Sequence, residues 1–182
     1  MKKAFVFLAT GFEEMEAIGT IDILRRGGIE LTTVSITGEQ TVLGVHNIPV
    51  KADKLFDEPD YSTADILILP GGGPGSQMLN GHAELKQLLV KHDEQGKLIA
   101  AICAAPLVLG GLGLLEGKKA ICYPGVEPQL TGAIITDEPA VKDGNIITGK
   151  GPGLVFNFGL LILETLQGKE TADSVAGDLL LK

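Results

Sequence analysis

The sequence predicts an α/β protein built on a mostly parallel sheet with helices on both faces. Short apolar runs of strand length, such as residues 4–9, 64–69 and 98–102, alternate with longer segments whose apolar residues recur at helical spacing. The chain has 182 residues, of which 45% are hydrophobic, and contains no repeat, linker or low-complexity segment. These observations favour a single domain over residues 1–182 with a sizeable core.

The first half of the chain begins with the buried strand over residues 4–9. A turn then leads into a helix, on which Met15, Ile18, Ile21 and Leu24 recur at helical spacing. The other predicted elements of this half are a β-branched strand over 30–36, a hairpin or pair of short strands over 41–52 with Pro49 at an edge, a buried strand over 64–69 that the glycine-proline run 70–75 breaks, and a helix over 83–95 that Gly96 ends.

The second half is organised around Cys103. The apolar residues 98–102 form a buried strand that leads to this cysteine, and Pro106 suits the first turn of the helix that follows. The other predicted elements are a short strand over 119–122, short strands within 134–148 with a turn at Asp143-Gly144, a helix over 154–166 closed by Gly168, and a terminal helix over 171–181.

Composition and charge argue against several classes of function. The formal net charge of -8 disfavours binding to a nucleic-acid backbone. The two cysteines, Cys103 and Cys122, show no metal-ligand spacing, and neither glycine-rich phosphate-binding pattern occurs, so we expect no metal and no cofactor. The chain has no apolar stretch that is long enough to span a bilayer, and its start carries no signal-peptide pattern. We therefore expect no membrane association and a cytoplasmic location.

Cys103 is the residue most suited to chemistry. A cysteine at a strand-to-helix corner lies over the free N–H groups of the helix, and these groups favour the thiolate and lower the pKa of the thiol. In a parallel sheet, ligands bind outside the carboxyl ends of the strands, where segments 11–16, 71–75 and 149–153 and Tyr123 also lie. The sequence therefore predicts a reactive Cys103, and the alternative is an inert structural cysteine.

Three glutamates, Glu13, Glu14 and Glu16, cluster at the start of the first helix. The helix dipole favours acidic residues there, so all three can be solvated. Glu16 is followed by apolar residues and is the one expected to point inward. An inward carboxyl beside a thiolate stays protonated and donates a hydrogen bond.

The three histidines offer no evident partner for Cys103. We expect His82 and His92 to be solvated residues of a helix and its start, while His46 lies in the predicted hairpin. None of them follows a strand at the edge where Cys103 lies, so a Cys–His pair within one chain is not predicted.

Four separated motifs occur in the order and spacing of the ThiJ/PfpI superfamily. The chain resembles this superfamily nearly end to end, and in particular the branch of the parkinsonism-associated deglycase (DJ-one). The resemblance implies a flavodoxin-like three-layer sandwich that is usually a homodimer. The motifs are Gly-Phe-Glu-Glu-Met-Glu at 11–16, Leu-Pro-Gly-Gly at 69–72, Ala-Ile-Cys-Ala-Ala-Pro at 101–106 and Gly-Pro-Gly at 151–153.

The resemblance also implies roles for individual residues. Cys103 matches the reactive cysteine, Glu16 the protonated glutamate that is hydrogen-bonded to it, and the backbone N–H groups of Gly72 and Ala104 the oxyanion hole. One departure is Tyr123, because the branch often carries a histidine at this place. A tyrosine can donate a hydrogen bond to a substrate oxygen, but a phenol is a poor base near neutral pH.

The function expected first is an enzyme that acts on small reactive carbonyls such as methylglyoxal through a hemithioacetal on Cys103, because members of the family are described as glyoxalases or deglycases. The alternative is a non-catalytic sensor of oxidation or a chaperone that uses the same cysteine. Hydrolysis of peptides or amides ranks last for want of a histidine. We also expect a dimer in which the first helix packs against its copy, with His46 at the interface.

Overall fold

Seven strands form the central sheet of the protein in a computed structural model that describes residues 1–181. In chain order the strands are β1 (Lys3–Leu8), β2 (Glu30–Ser35), β3 (Thr41–Leu43), β4 (Pro49–Lys51), β5 (Lys54–Leu55), β6 (Ile66–Leu69), β7 (Leu98–Ile102), β8 (Lys119–Ala120), β9 (Ile134–Ile135), β10 (Ala140–Asp143) and β11 (Ile146–Gly149).

The order of the strands has a switch point at β1. The sheet runs β10–β11–β7–β6–β1–β2–β5, and every neighbouring pair is parallel except β10–β11, which confirms the predicted mostly parallel sheet. The direction of winding reverses at β1, because β2 lies on one side of it and β6 on the other. In open α/β sheets, ligands generally bind outside the carboxyl ends of the strands at such a switch point.

Helices cover both faces of the sheet. They are α1 (Glu14–Arg26), α2 (Gly73–Gly81), α3 (Ala83–Glu94), α4 (Pro106–Gly111), α5 (Val155–Gln167) and α6 (Lys169–Asp178). Right-handed crossovers carry the chain from β1 to β2 in one direction and from β6 to β7 in the other, so α1 and α3 lie on opposite faces. Helix α5 packs with α1, and α6 packs with α5, while α3 and α4 contact β7. The predicted fold class is therefore confirmed.

Helix α1 is held close to α5 by glycines. A Cβ at Gly159 would lie 2.6 Å from Ile23 Cδ1, and a Cβ at Gly19 would lie 3.1 Å from Val155 Cγ1. Larger side chains at these two positions would push the helices apart. The close packing fixes the position of α1, and with it the position of Glu16.

The apolar face of α1 differs from the prediction. Ile21 and Leu24 are buried, but Met15 and Ile18 are 57% and 43% exposed. Only the second half of the predicted face therefore enters the core. The first half lies at the surface, next to the hairpin of β3 and β4.

Two other elements also differ from the prediction. Helix α2 begins inside the glycine-proline run that was expected to be only a turn, because Pro74 lies in its first helical turn, where the missing N–H costs no hydrogen bond. The strand expected over 119–122 is only the short β8, which pairs with β9 outside the main sheet. The hairpins β3–β4 and β10–β11 are confirmed.

Across residues 1–181, each helix is too short or too polar to cross a bilayer.

Candidate active site

Cys103 lies at the corner between β7 and α4 and has an unusual backbone conformation. Its φ of 65° falls in the left-handed region, which costs about 1–2 kcal/mol for a residue with a Cβ. Its N–H donates to the Gly149 carbonyl at 2.9 Å, and its own carbonyl accepts from the Tyr123 N–H at 2.8 Å. Segments after β8 and at the end of β11 thus hold the cysteine in this corner, where it is only 7% exposed.

The loop after β6 brings backbone atoms against the cysteine. A Cβ at Gly71 would lie 2.5 Å from Cys103 Cβ, so only glycine fits there. Gly72 has a φ of 90°, and a Cβ on it would lie 2.3 Å from the carbonyl oxygen of Gly11. The N–H groups of Gly72 and Ala104 lie near the Cys103 sulfur and act to lower the pKa of its thiol. These are the two donors that the sequence resemblance implies.

Glu16 is fully buried in the first turn of α1 and interacts with Cys103. The Gly71 N–H donates to Glu16 Oε2 at 2.8 Å, and Oε1 makes no hydrogen bond of standard geometry within residues 1–181. Burial raises the pKa of Glu16 to about 7, and the negative charge of Glu13 acts in the same direction, while hydrogen bonds from Cys103 and Gly71 oppose them. The carboxyl therefore exchanges its proton near neutral pH, and it points inward as the sequence predicted.

The Cys103 thiol is harder to ionise than the sequence predicted. Burial raises the pKa of this thiol to about 12, and the charge of Glu16 and the interaction with its carboxyl group raise it further. The N–H groups of Gly72 and Ala104 lower the pKa but offset only part of this increase. The N–H groups around the sulfur favour the thiolate, but the net lowering of this pKa that the sequence predicts is not found, because burial dominates. Thiol and carboxyl titrate as one pair. When Glu16 holds the shared proton, its charge disappears and both N–H groups face a thiolate.

Tyr123 borders the site at the surface. Its side chain is 49% exposed, and a Cβ at Gly151 would lie 3.3 Å from Tyr123 Cδ2, so the ring lies against that glycine. Cys122, next in the chain, is 1% exposed, and burial followed by the charge of Glu127 raises its pKa to about 11. The structure thus brings Cys103, Glu16, Gly72 and Ala104 together, and it places the backbone of Tyr123 beside Cys103.

His92 corrects a sequence prediction. It was expected to be solvated, but it is 2% exposed, and burial followed by the positive charge of Lys97 lowers its pKa to about 4. A signal was available in the sequence, because His92 follows Leu85 and Leu89 by seven and three residues and so lies on their buried face.

The other two histidines have local partners. His82 caps α3 by accepting the Leu85 N–H at 3.1 Å. His46 Nδ1 lies 2.8 Å from Glu14 Oε2, at the start of α1. Glu14 and Glu13 are 6% and 8% exposed, so the alternative that the whole glutamate cluster is solvated does not hold.

Comparison with known proteins identifies the family to which this chain is similar. The profile of the DJ-1/PfpI family matches residues 2–165. The chain belongs to the DJ-1/PfpI family. Protein DJ-1 homolog B of Arabidopsis thaliana is 41% identical over 183 residues, which cover 100% of this chain and 42% of that protein. The chain spans less than half the length of this relative and of Arabidopsis homolog A, of which it covers 47%.

This chain covers nearly the whole length of two further relatives. The glutathione-independent glyoxalase DJR-1.2 of Caenorhabditis elegans is 35% identical over 93% of this chain and 90% of that protein. The structure of oxidized Toxoplasma gondii DJ-1 superposes with a TM-score of 0.95 and 38% identity, over 99% of this chain and 98% of that one. The predicted family and its flavodoxin-like α/β fold are thereby confirmed.

Proposed function

We propose that this protein is a cysteine-dependent glyoxalase that converts small 2-oxoaldehydes such as methylglyoxal to 2-hydroxy acids without a cofactor. The observation that carries the proposal is the pairing of Cys103 with a buried carboxyl, Glu16, whose pKa of about 7 suits it to take up and release a proton at neutral pH. The DJ-1/PfpI relative named as a glutathione-independent glyoxalase supports the same chemistry.

The first step joins the sulfur to the aldehyde carbon. Cys103 gives its proton to Glu16 and adds to the carbonyl, which becomes the oxyanion of a hemithioacetal. In this proposal the N–H groups of Gly72 and Ala104, which favour the thiolate, also stabilise this oxygen as its charge develops. Protonation of the oxyanion by Glu16 then leaves a neutral hemithioacetal and a carboxylate.

The second step moves hydrogen between two carbons of the substrate. The Glu16 carboxylate removes the proton from the former aldehyde carbon, and the resulting enediol takes a proton at the neighbouring carbon. The former aldehyde carbon is thereby oxidised to a thioester while the ketone carbon is reduced to an alcohol, so no external oxidant is needed. Water hydrolyses the thioester, releasing lactate from methylglyoxal and restoring the thiol.

The proposal is tested by following methylglyoxal and lactate by NMR in the absence of glutathione. We expect lactate to form with the wild-type protein, and Cys103→Ser and Glu16→Gln to lower the rate at least about a hundredfold, since each removes a proton-transfer or nucleophilic group. Cys122→Ser is the matched control and should keep its activity. Absence of lactate, or equal rates in all four proteins, would rule out the proposal.

A second candidate is an oxidation sensor, and the donors around the sulfur favour it. A sulfinate on Cys103 would accept hydrogen bonds from Gly72, Ala104 and a protonated Glu16. If this is the function, peroxide at low concentration converts Cys103 to the sulfinate, and Glu16→Gln and Glu16→Asp change the yield measured by intact mass. The same oxidation series in all three proteins would show that Glu16 takes no part.

A further inference from the structure

A second cluster of chemically active side chains lies at the start of α1, apart from the Cys103 thiol. One ligand atom each from Glu13, Glu14 and His46 lies within 4.8 Å of the other two. The two glutamates are buried, whereas the His46 side chain is 70% exposed. The proposed glyoxalase chemistry uses none of these three side chains as a reacting group.

Glu14 is held against the β3–β4 hairpin by a close fit. A Cβ at Gly44 would lie 2.2 Å from Glu14 Oε1, so the hairpin has room for this carboxylate only because Gly44 has no side chain. The His46 N–H donates to Oε1 at 2.7 Å, and His46 Nδ1 lies 2.8 Å from Oε2. These contacts fix the Glu14 carboxyl group in one orientation beside the hairpin.

Glu13 places a second carboxylate beside the first. Its Oε2 accepts the Glu16 N–H at 2.7 Å, which caps α1 and fixes the carboxyl group. Within residues 1–181, no lysine or arginine forms an ion pair with Glu13 or Glu14. The imidazole of His46 comes from a different element, so the cluster is more than the acidic first turn that a helix dipole favours. Two carboxylates and one imidazole form a donor set that suits a divalent metal ion.

We propose that Glu13, Glu14 and His46 bind a divalent metal ion, and that Zn²⁺ is the occupant. Zn²⁺ accepts one imidazole nitrogen and two carboxylate oxygens and leaves its fourth position to water. The ion replaces the proton shared by His46 Nδ1 and Glu14 Oε2, so this proton is released to solvent. Ligands of a tetrahedral Zn²⁺ lie about 3.4 Å apart at bond lengths of about 2.0–2.1 Å, so the three ligand atoms, which lie within 4.8 Å of one another, must draw closer when the ion binds.

The test is a titration of the full chain with Co²⁺, whose visible absorbance reports tetrahedral ligands, followed by displacement with Zn²⁺. We expect one ion per chain, and binding at least about tenfold weaker in His46→Ala and in Glu14→Gln, since each removes a ligand or its charge. His46 lies at the surface, so His46→Ala leaves the fold intact. Circular dichroism checks Glu14→Gln, which keeps an acceptor for the His46 N–H.

Two controls separate this site from the thiol. Cys103→Ser and His82→Asn should bind the metal as tightly as the wild type, because neither position contributes a ligand. Loss of binding in Cys103→Ser with binding unchanged in His46→Ala would assign the metal to the thiol and overturn the proposal. Absence of stoichiometric binding to the wild type would overturn it as well. Neither result bears on the lactate assay, since the proposed reaction needs no metal.

Discussion

At the scale of single residues, the candidate site depends on one proton held between Cys103 and Glu16. The sequence predicts that Glu16 points inward, because apolar residues follow it, and the structure shows this. The sequence does not show that Glu13 caps the helix and that its charge raises the pKa of Glu16. Glutamate is not a preferred capping residue, so no pattern marked Glu13 in advance.

The two cysteines are expected to differ strongly in reactivity. Iodoacetamide should alkylate Cys103 at least about tenfold faster than Cys122 at neutral pH, although burial raises the pKa of both thiols. At Cys103 the Glu16 carboxylate can take up the thiol proton, and the negative charge that opposes the thiolate then disappears. At Cys122, burial and the charge of Glu127 both oppose ionisation. A pH series read by peptide mass gives both rates from one sample. Equal labelling rates would contradict this assignment.

At the scale of elements, the strands that carry the site could be predicted, whereas some of their neighbours could not. The apolar runs of β1, β6 and β7 are buried on both faces, and such continuous runs are distinct in a sequence. Helix α2 was missed because its glycines and Pro74 suggest a turn. The pairing of β8 with β9 instead of the main sheet depends on tertiary contacts that two-residue strands do not encode.

The loop between β6 and α2 is expected to tolerate no side chain at Gly72. Gly72→Ala should lower the free energy of unfolding by at least about 2 kcal/mol, because φ is positive and the new Cβ meets the backbone of Gly11, and it should also abolish lactate formation. Gly73→Ala is the matched control, since a Cβ there meets nothing within 4 Å, and its stability should change by less than about 0.5 kcal/mol. Urea unfolding compares the two, and equal effects would contradict the prediction.

At the scale of the whole molecule, stability is expected to depend on pH through His92. Its pKa is about 4 in the folded protein and 6.5 as the ordinary value, so the unfolded chain takes up the proton first as the pH falls. The His92 contribution should cost the folded state about 2 kcal/mol on going from neutral pH to pH of about 5, and this loss continues towards pH of about 4. Glu16 acts in the opposite direction over the same range, because its pKa is raised to about 7 in the folded protein, so the His92 contribution is the difference between the wild type and His92→Gln.

Urea unfolding at the two pH values measures this loss. His92→Gln should remove it, while His46→Gln, at an exposed position, should retain it. If the free energy of unfolding falls equally in the wild type and in His92→Gln between the two pH values, buried carboxylates rather than His92 determine the loss of stability in acid.

The face formed by the start of α1 and the β3–β4 hairpin is expected to pack against a second copy of the chain. Met15 and Ile18 on α1 are exposed, as are Leu43 and Ile48 on the hairpin, and His46 lies among them. A set of exposed apolar side chains around a helix start is typical of an interface. Light scattering at micromolar concentration should therefore give the mass of a dimer.

Ile18→Glu should shift this mass to that of a monomer, because the two-fold axis would bring the two introduced carboxylates into the same apolar interface, where they repel each other. Ile134→Glu is the matched control, since Ile134 is 56% exposed on β9, away from this face, and it should leave the dimer intact. A wild-type protein of monomer mass, or a dimer that survives Ile18→Glu but not Ile134→Glu, would show that the two copies do not meet at α1.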